Sequence, residues 1–273
     1  MTTPLSFLER LPTEFVLDFQ ITFGRYIVAV AATIALVWLL KKTRFKSRQI
    51  QTRTASWRDR GRELLASIEA NLVFLVITMI MVWGSEVGIF KRIGGSLGLG
   101  SDLLILATML IAHDTYFYWT HRAMHHPKLY KAFHLRHHRS ITPTPFAAYA
   151  FAAPEALLNA LFIPLWQLFV ATPQTVLMAF LIIQIIRNTT QHAGLELHPS
   201  WWLKNPVTRW ISTTTHHDMH HSGGFASNYG FYFTVWDRLM GTEHPQYEAT
   251  FNRVVGRPNL EKPSAQSLPP VAS

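Results

Sequence analysis

The chain has 273 residues, of which 49% are apolar and 15% are charged, whereas about 25% of the residues in a typical soluble domain are charged. Lysine and arginine number 25 against 16 aspartate and glutamate residues, so the net charge is +9. Cysteine is absent, which excludes disulfide scaffolds, thiolate zinc sites, iron–sulfur clusters and thiol catalysis. Low charge and long apolar runs also argue against disorder and against a nucleic-acid-binding module.

The N-terminal region predicts a membrane-spanning helix followed by a cytoplasmic loop. The first twenty residues contain three acidic residues, so we do not expect a secretory signal, which has a basic start. Residues 21–40 are apolar apart from Arg25, and twenty helical residues span a hydrocarbon layer of roughly 30 Å. The strongly basic segment 41–62 follows directly. The positive-inside rule predicts a cytoplasmic loop there, rather than an arm that binds nucleic acid.

Four further apolar segments follow in the chain. They lie at about 70–83, 103–119, 151–170 and 175–191. A glycine-rich loop precedes the second of these, residues 171–173 form a tight hairpin between the last two, and Glu155 and Asn159 interrupt the third. The sequence therefore predicts an all-α integral membrane protein with four or five transmembrane helices and a cytoplasmic helical cap that carries the histidine clusters. Lys91 and Arg92 would then lie outside, against the positive-inside rule.

Histidine is the unusual component, with 14 residues. Eight of them form three clusters, HRAMH, HLRHH and HDMHH: His121 and His125; His134, His137 and His138; and His217, His220 and His221. Residues at i, i+3 and i+4 share one face of a helix, so each cluster can present two or three imidazoles in one direction. Imidazole binds iron, zinc or copper, and eight histidines are too many for one tetrahedral ion. The clusters therefore predict two metal ions held close together.

Two longer stretches carry a family resemblance. Residues 114–147 contain HxxxH, HPxxYK, HxxHH and PTPFA elements, and residues 215–242 contain a final HxxHH followed by NYG and WDRLxGT. Together they resemble the sterol desaturase and fatty acid hydroxylase superfamily of membrane di-iron oxygenases, and the C-5 sterol desaturase branch most closely. The resemblance divides the chain into N-terminal membrane segments with the basic loop (1–100), the family-like domain (101–245) and a C-terminal tail (246–273).

The resemblance implies a set of metal ligands. These are His121, His125, His134, His137, His138, His192, His217, His220 and His221. His192 matches a further family histidine, whereas Asn188, His198 and His216 remain open as additional ligands. Imidazole ligands usually donate their second N–H to a carboxylate or carbonyl, and Asp114 and Asp218 are the candidate acceptors. Two positions depart from the family pattern, Ala153 and Tyr149, where histidines are expected; we expect both positions to shape the substrate side of the site.

The resemblance also implies the chemistry. It predicts an O₂-dependent lipid hydroxylase or desaturase with two iron ions (Fe²⁺/Fe³⁺), in the bacterial inner membrane or the endoplasmic reticulum. Each turnover consumes two external electrons, which we expect from a separate donor, ferredoxin or cytochrome b5 with its reductase. The substrate is a sterol-like or other membrane lipid, and the sequence distinguishes neither the lipid nor hydroxylation from desaturation.

Two other functions use the same residues. A membrane metal or haem carrier would need a polar route across the bilayer, whereas the predicted topology gathers every cluster on one side. A zinc-dependent membrane hydrolase normally pairs its histidines with a glutamate base, as in HExxH, and none of the three clusters contains glutamate.

Overall fold

A computed structural model describes residues 7–257 of the chain, which are mostly helical. The α-helices in chain order are α1 (Phe7–Leu40), α2 (Trp57–Glu86), α3 (Leu99–Met124), α4 (Pro127–Phe133), α5 (Leu135–His138), α6 (Ala153–Phe169), α7 (Gln174–Gln191), α8 (Thr214–Ser222), α9 (Val235–Leu239) and α10 (Tyr247–Val255). Helices α1, α2, α3, α6 and α7 contain the five predicted apolar segments and pack into one bundle.

Two helices are long and apolar enough to cross a membrane by length and composition, over Glu9–Leu40 and Trp57–Glu86. Helix α2 begins at a capping box, in which the Ser56 side chain accepts the Asp59 N–H and the Asp59 carboxylate accepts the Ser56 N–H. Such reciprocal bonds satisfy the free amides of a helix start. Among the described residues, helices α3, α6 and α7 do not meet the same criterion of length and apolar composition.

The predicted hairpin between the last two long helices contains a short strand. Strand β1 (Arg92–Ile93) pairs in parallel with strand β2 (Thr172–Pro173), with Arg92 opposite Thr172. The Lys91 N–H donates to the carbonyl of Gln167 over 2.7 Å. These bonds fix the loop after α2 to the turn between α6 and α7 at one end of the bundle.

The PTPFA element lies inside the bundle. Its residues form a buried 3-10 helix, Pro145–Tyr149, between α1, α2 and α7. The Phe146 carbonyl accepts the Tyr26 hydroxyl over 3.0 Å and the Ser67 hydroxyl over 2.8 Å. The element therefore joins the long helices to the histidine-bearing region by buried hydrogen bonds rather than by chain connectivity alone.

The opposite end of the bundle from β1 carries a cap of short helices, α4, α5, α8, α9 and α10. The basic segment 41–62 packs on this cap: the Arg48 guanidinium donates to the His198 carbonyl over 2.9 Å, and the Gln51 amide donates to the Asp218 carboxylate over 3.0 Å. The basic segment and the cap therefore lie at the same end of the bundle.

The predicted C-terminal tail (246–273) differs from the structure in its first part. Helix α10 buries the Tyr247 and Phe251 rings against Leu203 and Met219. An amphipathic turn with aromatic residues on one face has enough apolar surface to fold onto the cap. Residues 258–273, the rest of the predicted tail, lie outside the described residues.

Candidate metal centre

The nine histidines predicted as ligands lie in two adjoining groups. The first, called the five-histidine group, consists of His121, His125, His134, His138 and His220. The second, called the four-histidine group, consists of His137, His192, His217 and His221. Within each group the candidate ligand nitrogens all lie within 4.8 Å of one another. The imidazoles of His138 and His221 join the groups, with ring centroids 4.9 Å apart.

The two HxxHH clusters divide their histidines between the groups. His134 and His138, at i and i+4, belong to the five-histidine group, whereas His137 belongs to the other. Likewise His217 and His221 share the four-histidine group, whereas His220 turns to the first. Adjacent helical residues point about 100° apart. A single HH pair on a short helix can therefore face two different ions, which the sequence pattern alone does not specify.

The distances between ring nitrogens match those of ligands around an ion. The Nε2 atoms of His121 and His134 lie 2.9 Å apart. In the four-histidine group, Nε2 of His217 lies 3.0 Å from Nε2 of His192 and 3.1 Å from Nε2 of His221. Nitrogens that bind one ion at about 2.1 Å lie roughly 3.0–3.4 Å from their neighbours. These three pairs of ring nitrogens are thus already at the spacing that a bound ion requires.

Backbone carbonyls set the tautomers of three of these histidines. The Nδ1–H of His121 donates to the Tyr229 carbonyl over 2.8 Å, that of His220 donates to the Ser227 carbonyl over 2.7 Å, and that of His192 donates to the Asn188 carbonyl over 2.7 Å. A carbonyl only accepts, so the proton is on Nδ1 and Nε2 carries a lone pair. This arrangement holds the ring and leaves Nε2 as the ligand atom.

Burial keeps these imidazoles neutral, which is the form that binds metal. It lowers the pKa of His192 to about 4, although the hydrogen bond to the Asn188 carbonyl opposes the shift. It lowers the pKa of His217 and His220 well below the ordinary value, with the neighbouring histidines adding to the shift.

The Nε2 lone pairs of His121 and His220 have no hydrogen-bond donor among the described residues. The Nε2 of His220 is buried without a hydrogen-bond partner there, and the Nε2 of His121 faces another imidazole nitrogen. Lone pairs facing each other in a low-dielectric interior repel unless a cation lies between them. The residues of both groups therefore fit a bound metal ion.

Among the described residues, Glu155 is a carboxylate that contacts a histidine of the groups, whereas the apolar pattern of the sequence marks it only as an interruption of an apolar segment. Its Oε1 accepts the Nδ1–H of His134 over 2.7 Å, and both side chains are buried. Glu155 is near the start of α6, directly after Pro154. An acidic residue inside an otherwise apolar segment is by default a functional candidate, and that signal was available in the sequence.

Asp114 and Asp218, predicted to accept protons from ligand imidazoles, make other contacts. Asp114 accepts the backbone N–H groups of Tyr232 and Phe233 over 2.6 and 3.2 Å. Asp218 accepts the Gln51 amide, and burial raises its pKa to about 7 although that hydrogen bond opposes the shift. In the described part of the chain, Asp114 therefore fixes the backbone at Tyr232 and Asp218 holds the Gln51 side chain, and neither accepts a hydrogen bond from a histidine of the groups.

The other polar residues beside the motifs lie outside the two groups. The Asn188 amide donates to the Ala148 carbonyl over 2.6 Å. The Nδ1–H of His198 donates to Glu196 over 2.7 Å, and His216 Nε2 lies 3.4 Å from Asp237. His126 is exposed and caps α4 by accepting the Lys128 N–H over 3.3 Å. The Asn188 contact therefore stabilises the bundle, and the histidine contacts stabilise the cap and its loops.

The WDRL and NYG elements brace α8. Asp237 accepts the N–H groups of Tyr229 and Gly230, each over 2.8 Å. Burial raises the pKa of Asp237, but hydrogen bonds, first among them that of His216, outweigh it and hold the pKa below its ordinary value. Asn228 lies in the left-handed region with φ of 60°, and its amide donates to the His216 carbonyl. This brace positions the Tyr229 carbonyl that orients His121.

A cavity of about 230 Å³ lies inside the bundle between α1, α2, α3, α6 and α7; we call it the bundle cavity. One end of the cavity is lined by two rings that contact the histidine groups: the ring of Phe117 lies 5.0 Å from that of His121, and the ring of Phe151 lies 5.2 Å from that of His137. Tyr149 lines it, as expected for the substrate side, whereas Ala153 is exposed at the start of α6 and does not.

Comparisons with known proteins agree with this site. The family described as fatty acid hydroxylase matches residues 106–242, half of the chain. The Delta(7)-sterol 5(6)-desaturase ERG3A of Gibberella zeae is 27% identical over 236 residues, which are 85% of this chain and 63% of that protein. The lathosterol oxidase of Homo sapiens is 28% identical over 186 residues, 66% of this chain and 60% of that protein.

A third relative, the Delta(7)-sterol 5(6)-desaturase of Leptosphaeria maculans, is 30% identical over 191 residues, 68% of this chain and 51% of that protein. The chain thus spans between half and two thirds of the length of these relatives. No solved structure matches the chain. The matched residues contain the three histidine clusters and His192, and the relatives lie in the sterol desaturase branch. The chain belongs to the fatty acid hydroxylase family.

Proposed function

We propose that the chain oxidises a membrane lipid with O₂, by hydroxylation or desaturation, at two iron ions held by the two histidine groups. The observation that carries the proposal is that a cavity inside a bundle of apolar helices ends at two rings, Phe117 and Phe151, each of which contacts one of the two histidine groups. The sterol desaturases and sterol oxidases among the relatives make a sterol-like lipid the first substrate to test.

The five-histidine group would hold one iron and the four-histidine group the other. Two irons would supply what side chains cannot, the reductive activation of O₂ for attack on an unactivated C–H bond. The chain's own part is to hold the Nδ1 protons of four ligand histidines with Glu155 and with backbone carbonyls, which leaves the Nε2 atoms of His121, His134, His192 and His220 free to bind metal. The rings of Phe117 and Phe151 line the end of the cavity nearest the histidines and would keep water away from the reacting carbon.

The proposed topology places the five long helices in the bilayer and the cap in the cytoplasm. Large apolar side chains on three of these helices are exposed, among them Val28 at 68%, Leu104 at 66% and Phe169 at 77%. Extensive apolar exposure of this kind suits lipid rather than water. The contacts of segment 41–62 with the cap support a common side for the basic loop and the histidines.

Single-cysteine labelling tests that topology, and the absence of native cysteine makes it clean. In sealed membranes treated with an impermeant maleimide, we expect Lys46→Cys and Lys204→Cys to label from the same side and Leu97→Cys from the opposite side. Opposite labelling of the first two would contradict the topology, since segment 41–62 and the cap would then be separated by the membrane.

The electrons would come from a separate donor, ferredoxin or cytochrome b5 with its reductase. The basic segment 41–62 beside the cap would attract an acidic donor, so turnover with either donor should slow as salt screens the attraction.

Lipid mass spectrometry tests the function. A host that expresses the chain should gain a lipid of one class shifted by about +16 or −2 mass units, as insertion of one oxygen atom or loss of two hydrogen atoms requires. A host that expresses His137→Ala at the same membrane level is the matched control. Iron-dependent O₂ consumption that needs lipid distinguishes an oxidase from a metal carrier. An unchanged lipid profile together with iron uptake would favour the carrier.

A further inference from the structure

The bundle cavity is more polar than a purely hydrocarbon ligand requires. Five residues that line it each carry a buried polar atom with no hydrogen-bond partner among the described residues. These atoms are Asp18 Oδ2, Arg25 Nε, His113 Nδ1, Asn159 Nδ2 and Gln167 Nε2. Buried polar groups are almost always paired, because leaving one without a partner is costly. The unpaired atoms therefore point to a polar group on whatever occupies the cavity.

His113 and Asn159 lie at the same level of the bundle. They belong to α3 and α6, which pack together, and the Phe162 ring lies 4.8 Å from the His113 ring and one turn from Asn159. His113 is 6% exposed, and the rings around it include Phe117 and Phe180. The phenylalanine rings offer no hydrogen-bond partner to its Nδ1, and the hydroxyl of Tyr232, whose ring lies 5.5 Å away, is itself buried without a partner among the described residues.

The chemistry of the two side chains defines the missing partner. The unpaired Asn159 nitrogen is an amide N–H, which only donates, whereas the imidazole nitrogen of neutral histidine can donate or accept. A hydroxyl oxygen can serve both at once, and a carbonyl oxygen can accept from both. A hydrocarbon chain can serve neither.

We propose that the bundle cavity binds a lipid through a hydroxyl or carbonyl oxygen placed between His113 and Asn159. The inference rests on the proposed lipid oxidation and narrows its substrate class to oxygenated lipids. His113 precedes the ligand His121 by eight residues, about 12 Å along α3. The recognised oxygen therefore lies about that distance along the helix axis from the level of His121, and the oxidised carbon lies between the two.

Binding measurements with two lipids that differ only in one hydroxyl test the inference. The probes are 5α-cholestan-3β-ol and 5α-cholestane, which compete with tritiated 5α-cholestan-3β-ol on the iron-loaded protein under anaerobic conditions, where no turnover occurs. Wild-type protein should prefer the hydroxylated lipid about tenfold, which corresponds to about 1.4 kcal/mol. In His113→Phe and Asn159→Leu the preference should fall to threefold or less, with 5α-cholestane binding unchanged.

The matched control is Thr108→Val, an exposed position on α3 that does not line the cavity; it should keep the tenfold preference. Thermal unfolding of the ligand-free variants gives a second readout. Replacing an unpaired buried polar group by an apolar one of similar shape should not lower the melting temperature.

Three results would overturn the inference. They are equal binding of both lipids by wild-type protein, a full preference retained in both cavity variants, and a marked loss of thermal stability that reveals an internal partner. Equal binding leaves the proposed lipid oxidation standing, whereas a failure of both lipids to bind would exclude a sterol-like substrate from the proposed function and remove this inference with it.

Discussion

The hydrogen bond between Glu155 and His134 predicts that a substitution at Glu155 weakens metal binding without lowering the stability of the metal-free protein. Glu155 Oε1 accepts from His134 Nδ1 over 2.7 Å, while Glu155 Oε2 is buried without a partner among the described residues. A buried carboxylate beside a neutral ring is costly, and a cation bound to His134 Nε2 offsets that cost. Glu155→Gln should therefore weaken metal binding without destabilising the metal-free protein.

The magnitude follows from the bonds involved. A hydrogen bond to a charged group contributes about 1.5–3 kcal/mol and a neutral one about 1 kcal/mol, so Glu155→Gln should lose about 1 kcal/mol of metal binding, roughly fivefold in affinity. Glu155→Ala leaves the His134 N–H without an acceptor and should weaken binding about 10–100-fold, the usual effect of removing such a partner.

Cobalt titration of the metal-free protein, followed by absorbance against a competing chelator, measures these affinities, and thermal unfolding of the same samples measures stability. Glu14→Gln is the control, because Glu14 pairs with Arg10 near the other end of the bundle. The reasoning is refuted if both Glu155 variants bind cobalt within twofold of wild type, or if Glu14→Gln weakens binding equally.

Further predictions concern the histidines and the brace. His137→Ala should lose one metal and nearly all lipid oxidation while still inserting into membranes, whereas His126→Ala removes only a helix cap, about 1 kcal/mol; metal analysis and turnover compare them. His192→Ala should also lose one metal, and full retention would exclude it as a ligand. Asp237→Asn should lower stability by about 2 kcal/mol at pH 7. Because the folded pKa of Asp237 is depressed, its contribution is present above the unfolded value of about 3.9 and disappears as the pH falls through the folded pKa. Thermal unfolding at pH 7 and pH 3 should show the Asp237→Asn deficit shrinking, and an equal deficit at both values would contradict it.

Much of the architecture could be predicted because hydrophobic length and histidine spacing are local properties of the chain. The five long helices contain the five apolar segments, and the hairpin at 171–173 is where its proline and short length place it. The helices extend beyond the apolar segments, as in α1, which begins at Phe7, because capping and polar helix-forming residues do not register in an apolar window.

The partners of the histidines could be predicted less well, because they depend on contacts between distant parts of the chain. The Tyr229 carbonyl that orients His121 is 108 residues away, and a carbonyl leaves no mark in the residue type. Asp114 is predicted to accept the N–H of a ligand imidazole, yet its carboxylate accepts the backbone N–H of Tyr232 instead. The division of each HH pair between the two groups likewise depends on how α5 and α8 are tilted against each other.

The metal content of active protein tests the central claim most directly. Protein purified from iron-replete cells and shown to oxidise lipid should contain about two iron ions per chain by elemental analysis, because two groups of imidazoles at ligand spacing exceed what one ion can coordinate. One ion per chain, or none, in protein that is active would contradict the dinuclear centre.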